Sequence, residues 1–211
     1  MKTKAELTQE RIIKSAAQEF LEVGYNPASM RRIAAKAKVT TGAIYRYFTD
    51  KERLFYKVTE EASAALDQLY EDMVEEALDE IDIGRSYDRN QSMMNLTEIF
   101  DIVYQYFDQF YLLVMYSEYT QNGSFIHRLV DVEMRSTAVY IEKLKSKYNS
   151  SYEVDQVGLQ IIIEAFISAL LETVRRRMPK AEAIKHITYI GNYFACGWDG
   201  QEKLIIENRN N

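Results

Sequence analysis

Val39-Thr40-Thr41-Gly42-Ala43-Ile44-Tyr45-Arg46-Tyr47-Phe48 is the stretch on which the fold turns. Val-Thr-Thr-Gly interrupts one short helix and opens another, and Ile44 and Phe48, four apart, mark the buried side of the new helix. Immediately upstream, Ser29 can cap a helix that buries Met30, Ile33 and Ala34. Further back, Ile12, Ile13, Ala16, Ala17, Phe20 and Leu21 recur at helical spacing and stop at Gly24, which predicts an amphipathic first helix from about Thr8, with Thr8 as its N-cap. Three short helices in this order are a helix-turn-helix head over residues 1–50.

Downstream, Leu54, Phe55, Val58, Ala62, Ala65, Leu66, Leu69, Met73, Ala77 and Leu78 keep the helical period, so a helix over 51–80 connects the head to a body occupying 51–211. There is no proline between Pro27 and Pro179 and no glycine between Gly42 and Gly84, and strand signals are scarce. The polar stretch Gly84–Ser92 reads as a loop. Further helices are expected over 93–107, 108–119, 125–147, 153–178 and 180–197, with a tail through Ile206. The fold class is therefore all-α.

The chain has 211 residues, 47% of them hydrophobic and 27% charged, with 8 Gly and 2 Pro, which excludes collagen-like and disordered chains. The net charge of -6 is unevenly shared: residues 1–60 hold 12 Lys and Arg against 7 Asp and Glu, a balance of +5, which leaves -11 on the remainder. A basic head on an acidic body suits a polyanion at the head alone. The lone Cys196 and a charged amino terminus point to a cytoplasmic protein, and Glu164 and Glu172 interrupt the apolar runs, so no membrane span is expected.

The segment Leu7–Val58 resembles the DNA-binding domain of the TetR family of transcriptional regulators. The residues that carry the likeness are Ile12, Ala16 and Phe20 before Gly24-Tyr25; Ser29-Met30-Arg31-Arg32-Ile33-Ala34; the 39–48 stretch; and Lys51-Glu52-Arg53-Leu54. The resemblance implies that Tyr45, Tyr47 and Lys51 meet phosphates, and that Ser29 and Thr40 open helices that meet the backbone of double-stranded DNA. The chemistry of the segment supports base reading independently. A helix entering the major groove needs small residues where backbone approaches base edges, and Thr41, Gly42 and Ala43 supply them. Arg46 can fork onto guanine or grip phosphate.

In the body, Gln160, Glu164, Ser168 and Glu172 form one polar line on a helix that is otherwise apolar, so that helix is expected to be covered on two sides. A homodimer built on Ile163, Phe166, Gly191 and Phe194 would cover it. The aromatic middle segment suggests a pocket for a small amphipathic or aromatic effector, lined by Tyr104, Phe107, Tyr111, Met115, Tyr119 and Phe166. Asp101, Asp108, Glu118 and Glu164 lie near enough to favour a cationic one.

Other features read blandly. His127 and Asp131 are too few for a metal site, Arg175-Arg176-Arg177 suits a helix end, and no cofactor is implied. Enzyme motifs are absent: no phosphate loop, no HExxH, no GxSxG. The expected function is a ligand-responsive regulator, most simply a homodimeric repressor on a pseudo-palindromic operator. The alternative is a helical protein-interaction module with weak DNA contact.

Overall fold

The computed structural model describes residues 2–82, 89–121 and 123–208. Among them there are nine α-helices and no strand: α1 (Lys4–Val23), α2 (Met30–Lys36), α3 (Thr41–Ile44), α4 (Lys51–Asp82), α5 (Arg89–Gln105), α6 (Phe107–Tyr116), α7 (Phe125–Tyr148), α8 (Gln156–Arg175) and α9 (Lys180–Glu207). A single 3₁₀ turn, Ser117–Tyr119, follows α6.

The first helix begins four residues earlier than its apolar period suggests. Thr3 caps it, with Glu6 reaching back to the Thr3 amide, and Thr8 is an interior residue whose hydroxyl donates to the Lys4 carbonyl at 2.8 Å. The third helix is shorter than expected. After Ile44 the amides of Arg46 and Tyr47 donate to carbonyls three residues back, so the segment through Tyr47 tightens into turns before Phe48. The loop expected over Gly84–Ser92 is partly helical: Arg89–Ser92 open α5, and 84–88 lie outside the described residues. The uncertain tail is part of one uninterrupted α9.

The chain forms two compact units. The first contains Met1–Ala65 and Tyr106–Phe125, the second Leu66–Gln105 and Ile126–Asn211. In the first, Ile12, Ala16, Phe20, Ile33, Ile44, Leu54 and Phe55 are buried. Phe20, Tyr25 and Phe55 pack ring against ring at 5.1 to 5.8 Å. Helix α6 packs on α1 within this unit, and Gly24 explains how closely: it adopts φ 82, and a Cβ there would meet the Tyr116 hydroxyl at 3.1 Å.

The second unit has two apolar clusters. Leu96, Phe100, Leu170 and Ile187 join α5, α8 and α9, while Ile141, Leu144 and Ile205 join α7 and α9. Tyr104 donates its hydroxyl to the Met178 carbonyl at 2.7 Å, and Lys180 pairs with Asp101 at 3.0 Å. Length and composition alone would let α8 cross a bilayer, with a mean hydropathy of 1.8, despite the two glutamates. Within the unit, however, Ile163, Ile167, Leu170, Leu171 and Val174 are buried in protein.

Candidate nucleic-acid interface

The turn between α2 and α3 is built by its caps. Ser29 Oγ accepts from the Arg32 amide at 3.3 Å, and Thr40 Oγ1 accepts from the Ala43 amide at 3.1 Å. Between them Lys38 takes a left-handed conformation, φ 55, and the Val39 amide donates back to Ala34 at 3.0 Å, closing α2. Ile44 and Phe48 are buried, so the opposite side of the short helix faces outward.

That outward side carries the residues singled out for base reading. Thr41 and Gly42 are exposed, Ala43 is half-buried, and a Cβ at Gly42 would meet nothing within 4 Å. Nothing in the chain's own packing requires a glycine there; the open space lies outside the head. Tyr45 is 50% exposed, Arg46 is exposed and Tyr47 half-buried.

The cations divide into two sets. Arg32 and Lys36 are engaged by α1: Glu19, 1% exposed, lies 2.5 Å from Arg32 Nε and 2.9 Å from Lys36 Nζ, and Glu22 also holds Lys36. Lys36 in turn keeps the Glu22 carboxyl below its usual range. Arg31, Lys38 and Arg46 are exposed, and among the described residues none of them pairs with a carboxylate. Arg31 and Lys38 are not among the contacts expected from sequence. Their signal is legible only by elimination, once Glu19 and Glu22 are known to consume the neighbouring cations.

Lys51 departs from expectation. Its ammonium donates to the carbonyls of Tyr25 at 2.7 Å, Asn26 at 3.1 Å and Ala28 at 3.2 Å, and lies 4.4 Å over the Tyr25 ring. An ammonium has three donors, and all are used, so here it pins the α1–α2 loop to the start of α4. Burial pushes it below the usual lysine value.

The body residues also redistribute. Tyr104 and Phe166 pack against the cluster around Phe100 in the second unit, whereas Phe107, Tyr111, Met115 and Tyr119 belong to the first, with Tyr119 exposed. Asp101 is spent on Lys180, and Gln160 donates to Glu164. For the dimer surface, Ile163 and Gly191 are already buried within the chain, and Phe166 and Phe194 stack at 4.8 Å. The exposed large apolar residues of α8 and α9 are instead Val157, Ile161 (58%), Ile162, Tyr189 (76%), Tyr193 (73%) and Leu204. Arg175 and Arg176 pair with Glu172, and His127 and Asp131 are exposed on α7.

A capped, two-helix turn presenting small residues and unpaired cations is the arrangement of a helix-turn-helix unit of the kind that docks on DNA. Residues 12–58 match the family model for bacterial regulatory proteins of the tetR family. The HTH-type transcriptional repressor BepR of Brucella suis is 46% identical over 59 residues, covering 27% of this chain and 28% of that one. The chain thus matches little more than a quarter of that relative's length. The uncharacterized HTH-type transcriptional regulator YdgC of Bacillus subtilis is 22% identical over 172 residues, 81% of this chain and 80% of that one. A crystal structure of a gamma-butyrolactone receptor shares the fold with a TM-score of 0.58, at 20% identity over 89% of this chain and 87% of that one.

Proposed function

We propose that this regulator is a homodimeric repressor which binds a pseudo-palindromic operator and leaves it when a small molecule occupies its second unit. The observation that carries the reading is the outward side of α3, where Thr41, Gly42 and Ala43 leave room for base edges and Arg46 stands unpaired beside them. Ser29, Thr40, Tyr45 and Tyr47 approach the phosphates, joined by Arg31 and Lys38. Lys51 acts through the loop it holds. A relative named as a repressor through this same segment supports the direction of regulation.

Dimerisation follows from the exposed Ile161, Ile162, Tyr189 and Tyr193, which a second copy would cover in a four-helix arrangement. Coupling has a covalent route. Helix α4 begins in the first unit and ends in the second, and the chain returns to the first unit for 106–125 between α5 and α7. A ligand that prefers one disposition of α4, α5 and α7 therefore biases the heads. A small-molecule receptor among the solved structures of this fold is consistent with such a site.

The test is selection of genomic fragments on the purified protein, followed by titration of the selected duplex. A pseudo-palindromic site with half-sites about 34 Å apart or a multiple of that, bound by a dimer, supports the proposal. Sequence-independent binding that disappears at physiological salt overturns it.

A further inference from the structure

Glu19 sits on the side of α1 that Ile12, Ala16 and Phe20 turn toward the core, and it is itself only 1% exposed. There it meets two cations one turn apart on α2: Oε1 lies 2.5 Å from Arg32 Nε and Oε2 lies 2.9 Å from Lys36 Nζ. Each cation has a second tether within the head. The Arg32 guanidinium donates to the Pro27 carbonyl at 3.0 Å, and Lys36 donates to Glu22 at 2.5 Å. The Arg32 contact with Glu19 rests on charge, because the buried Oε1 makes no aligned hydrogen bond. Half of the Arg32 side chain is nevertheless exposed, and the preceding Arg31 faces solvent with no carboxylate partner among the described residues.

Stability does not call for an acid at this position. Burying a carboxylate beside a cation costs about as much as the pairing returns, and well-packed apolar residues in place of such a pair are often neutral or stabilising. The effect on charge is definite. Glu19 and Glu22 cancel Arg32 and Lys36 beside the recognition turn, whereas Arg31, Lys38 and Arg46 stay exposed without a carboxylate.

We propose that Glu19 is a specificity-determining residue: it withholds Arg32 and Lys36 from the DNA backbone, limits sequence-independent binding and leaves recognition to the residues of α3. This assignment deepens the DNA-binding reading above and rests on it. Sequence-independent affinity grows with the number of phosphates that a protein's cations neutralise, each adding about 0.9 to the salt slope. A head that also offered Arg32 would hold any duplex more tightly. Because the same ion pair fixes α2 against α1, losing it would not sharpen base reading, and random sequence would gain more than the operator.

The probes are a random-sequence duplex and the duplex selected by the protein from genomic fragments, each titrated with the full chain by fluorescence anisotropy over a range of salt concentrations. Glu19→Gln keeps the shape and removes the charge. It should bind the random duplex at least about threefold more tightly at roughly 0.1 M salt and steepen the slope by about one per protomer as Arg32 reaches a phosphate. Affinity for the selected duplex should rise less. The paired variant Glu19→Leu/Arg32→Gln, which removes acid and cation together, should restore the wild-type affinity and slope on random sequence. A structural role alone predicts the opposite sign, with weaker binding to both duplexes. Weaker or unchanged binding of the random duplex by folded Glu19→Gln, or a gain that survives in the paired variant, overturns the assignment. A second comparison leaves the buried acid in place: Arg31→Gln should flatten the slope and Arg32→Gln should not, and equal losses in the two also overturn it. Circular dichroism verifies that each variant folds. Wild type that binds neither duplex at low salt would sink the DNA reading itself, whereas the variant outcomes bear on Glu19 alone.

Discussion

Glu19 and Arg32 form a buried-to-surface ion pair across the head: the carboxylate oxygen lies 2.5 Å from the guanidinium Nε, with Glu19 1% exposed and the Arg32 side chain 50% exposed. Lys36 closes the same carboxylate from the next turn of α2. The pair fixes α2 against α1 and, through α2, the turn that aims α3.

Removing the acid alone should loosen that geometry. We expect Glu19→Ala to lower stability by roughly 2 kcal/mol, less than a fully buried pair would lose, because Arg32 can turn to water. Urea unfolding gives the difference directly. A loss under about 0.5 kcal/mol would show that the pair contributes little to the packing of the head.

Lys51 and Arg46 should part company in a salt titration. Arg46→Ala should reduce the slope of log affinity against log salt by about one for each phosphate that the guanidinium no longer neutralises. Lys51→Met should weaken binding and lower the melting temperature while leaving the slope nearly unchanged, since its donors are held by the Tyr25, Asn26 and Ala28 carbonyls. A Lys51→Met slope reduced like that of Arg46→Ala would return Lys51 to the phosphate backbone.

The two sides of α9 should respond differently to charge. Tyr193→Glu places a carboxylate on an exposed position and should yield folded monomer, whereas Gly191→Glu forces one into a buried position and should unfold or aggregate the chain. Sedimentation with circular dichroism separates these outcomes. Tyr193→Glu remaining a dimer at micromolar concentration would move the interface elsewhere.

Asp50 makes the start of α4 sensitive to acid. Its carboxylate accepts from the Arg53 amide at 2.7 Å and the Thr49 hydroxyl at 2.8 Å, and these hydrogen bonds, that to the Arg53 amide foremost, hold its pKa below the usual value. The folded value lies below the unfolded one, so the contribution is complete above about pH 4 and fades as the pH falls through the folded value. Asp50→Ala should therefore cost about 1 kcal/mol at pH 7 and much less near pH 2. A difference independent of pH would mean that the cap works without its charge.

The head is legible in the sequence because its signals are local. Ser29 and Thr40 cap within three residues, and Ile44 and Phe48 repeat within one turn, so neither depends on distant packing. The start of α1 is legible too, as Thr3 followed three residues later by Glu6, but the apolar period that begins near Ile12 outweighs it. Lys51 is not legible, because a flexible four-carbon stem can end at phosphate or at a carbonyl, and only the path of the 25–28 loop decides. The body is harder still. In helices as apolar as α6 and α8, the period does not say which side meets the chain's own core, so Ile163, expected at the dimer surface, is buried within the chain while Ile162 is exposed.

Residues 106–125 belong to the head's unit although most of the body's chain lies on either side of them. Gln109 Oε1 accepts from the Ala62 amide at 3.0 Å, the Gln121 amide donates to Glu52 at 2.5 Å, and Tyr116 lies against Gly24. A reading head of this design is therefore not a transplantable cassette. A chimera spliced at residue 50 or 65 would marry one protein's recognition turn to another's supporting segment, and specificity could be exchanged cleanly only by carrying both stretches together or by rewriting the outward side of α3 in place.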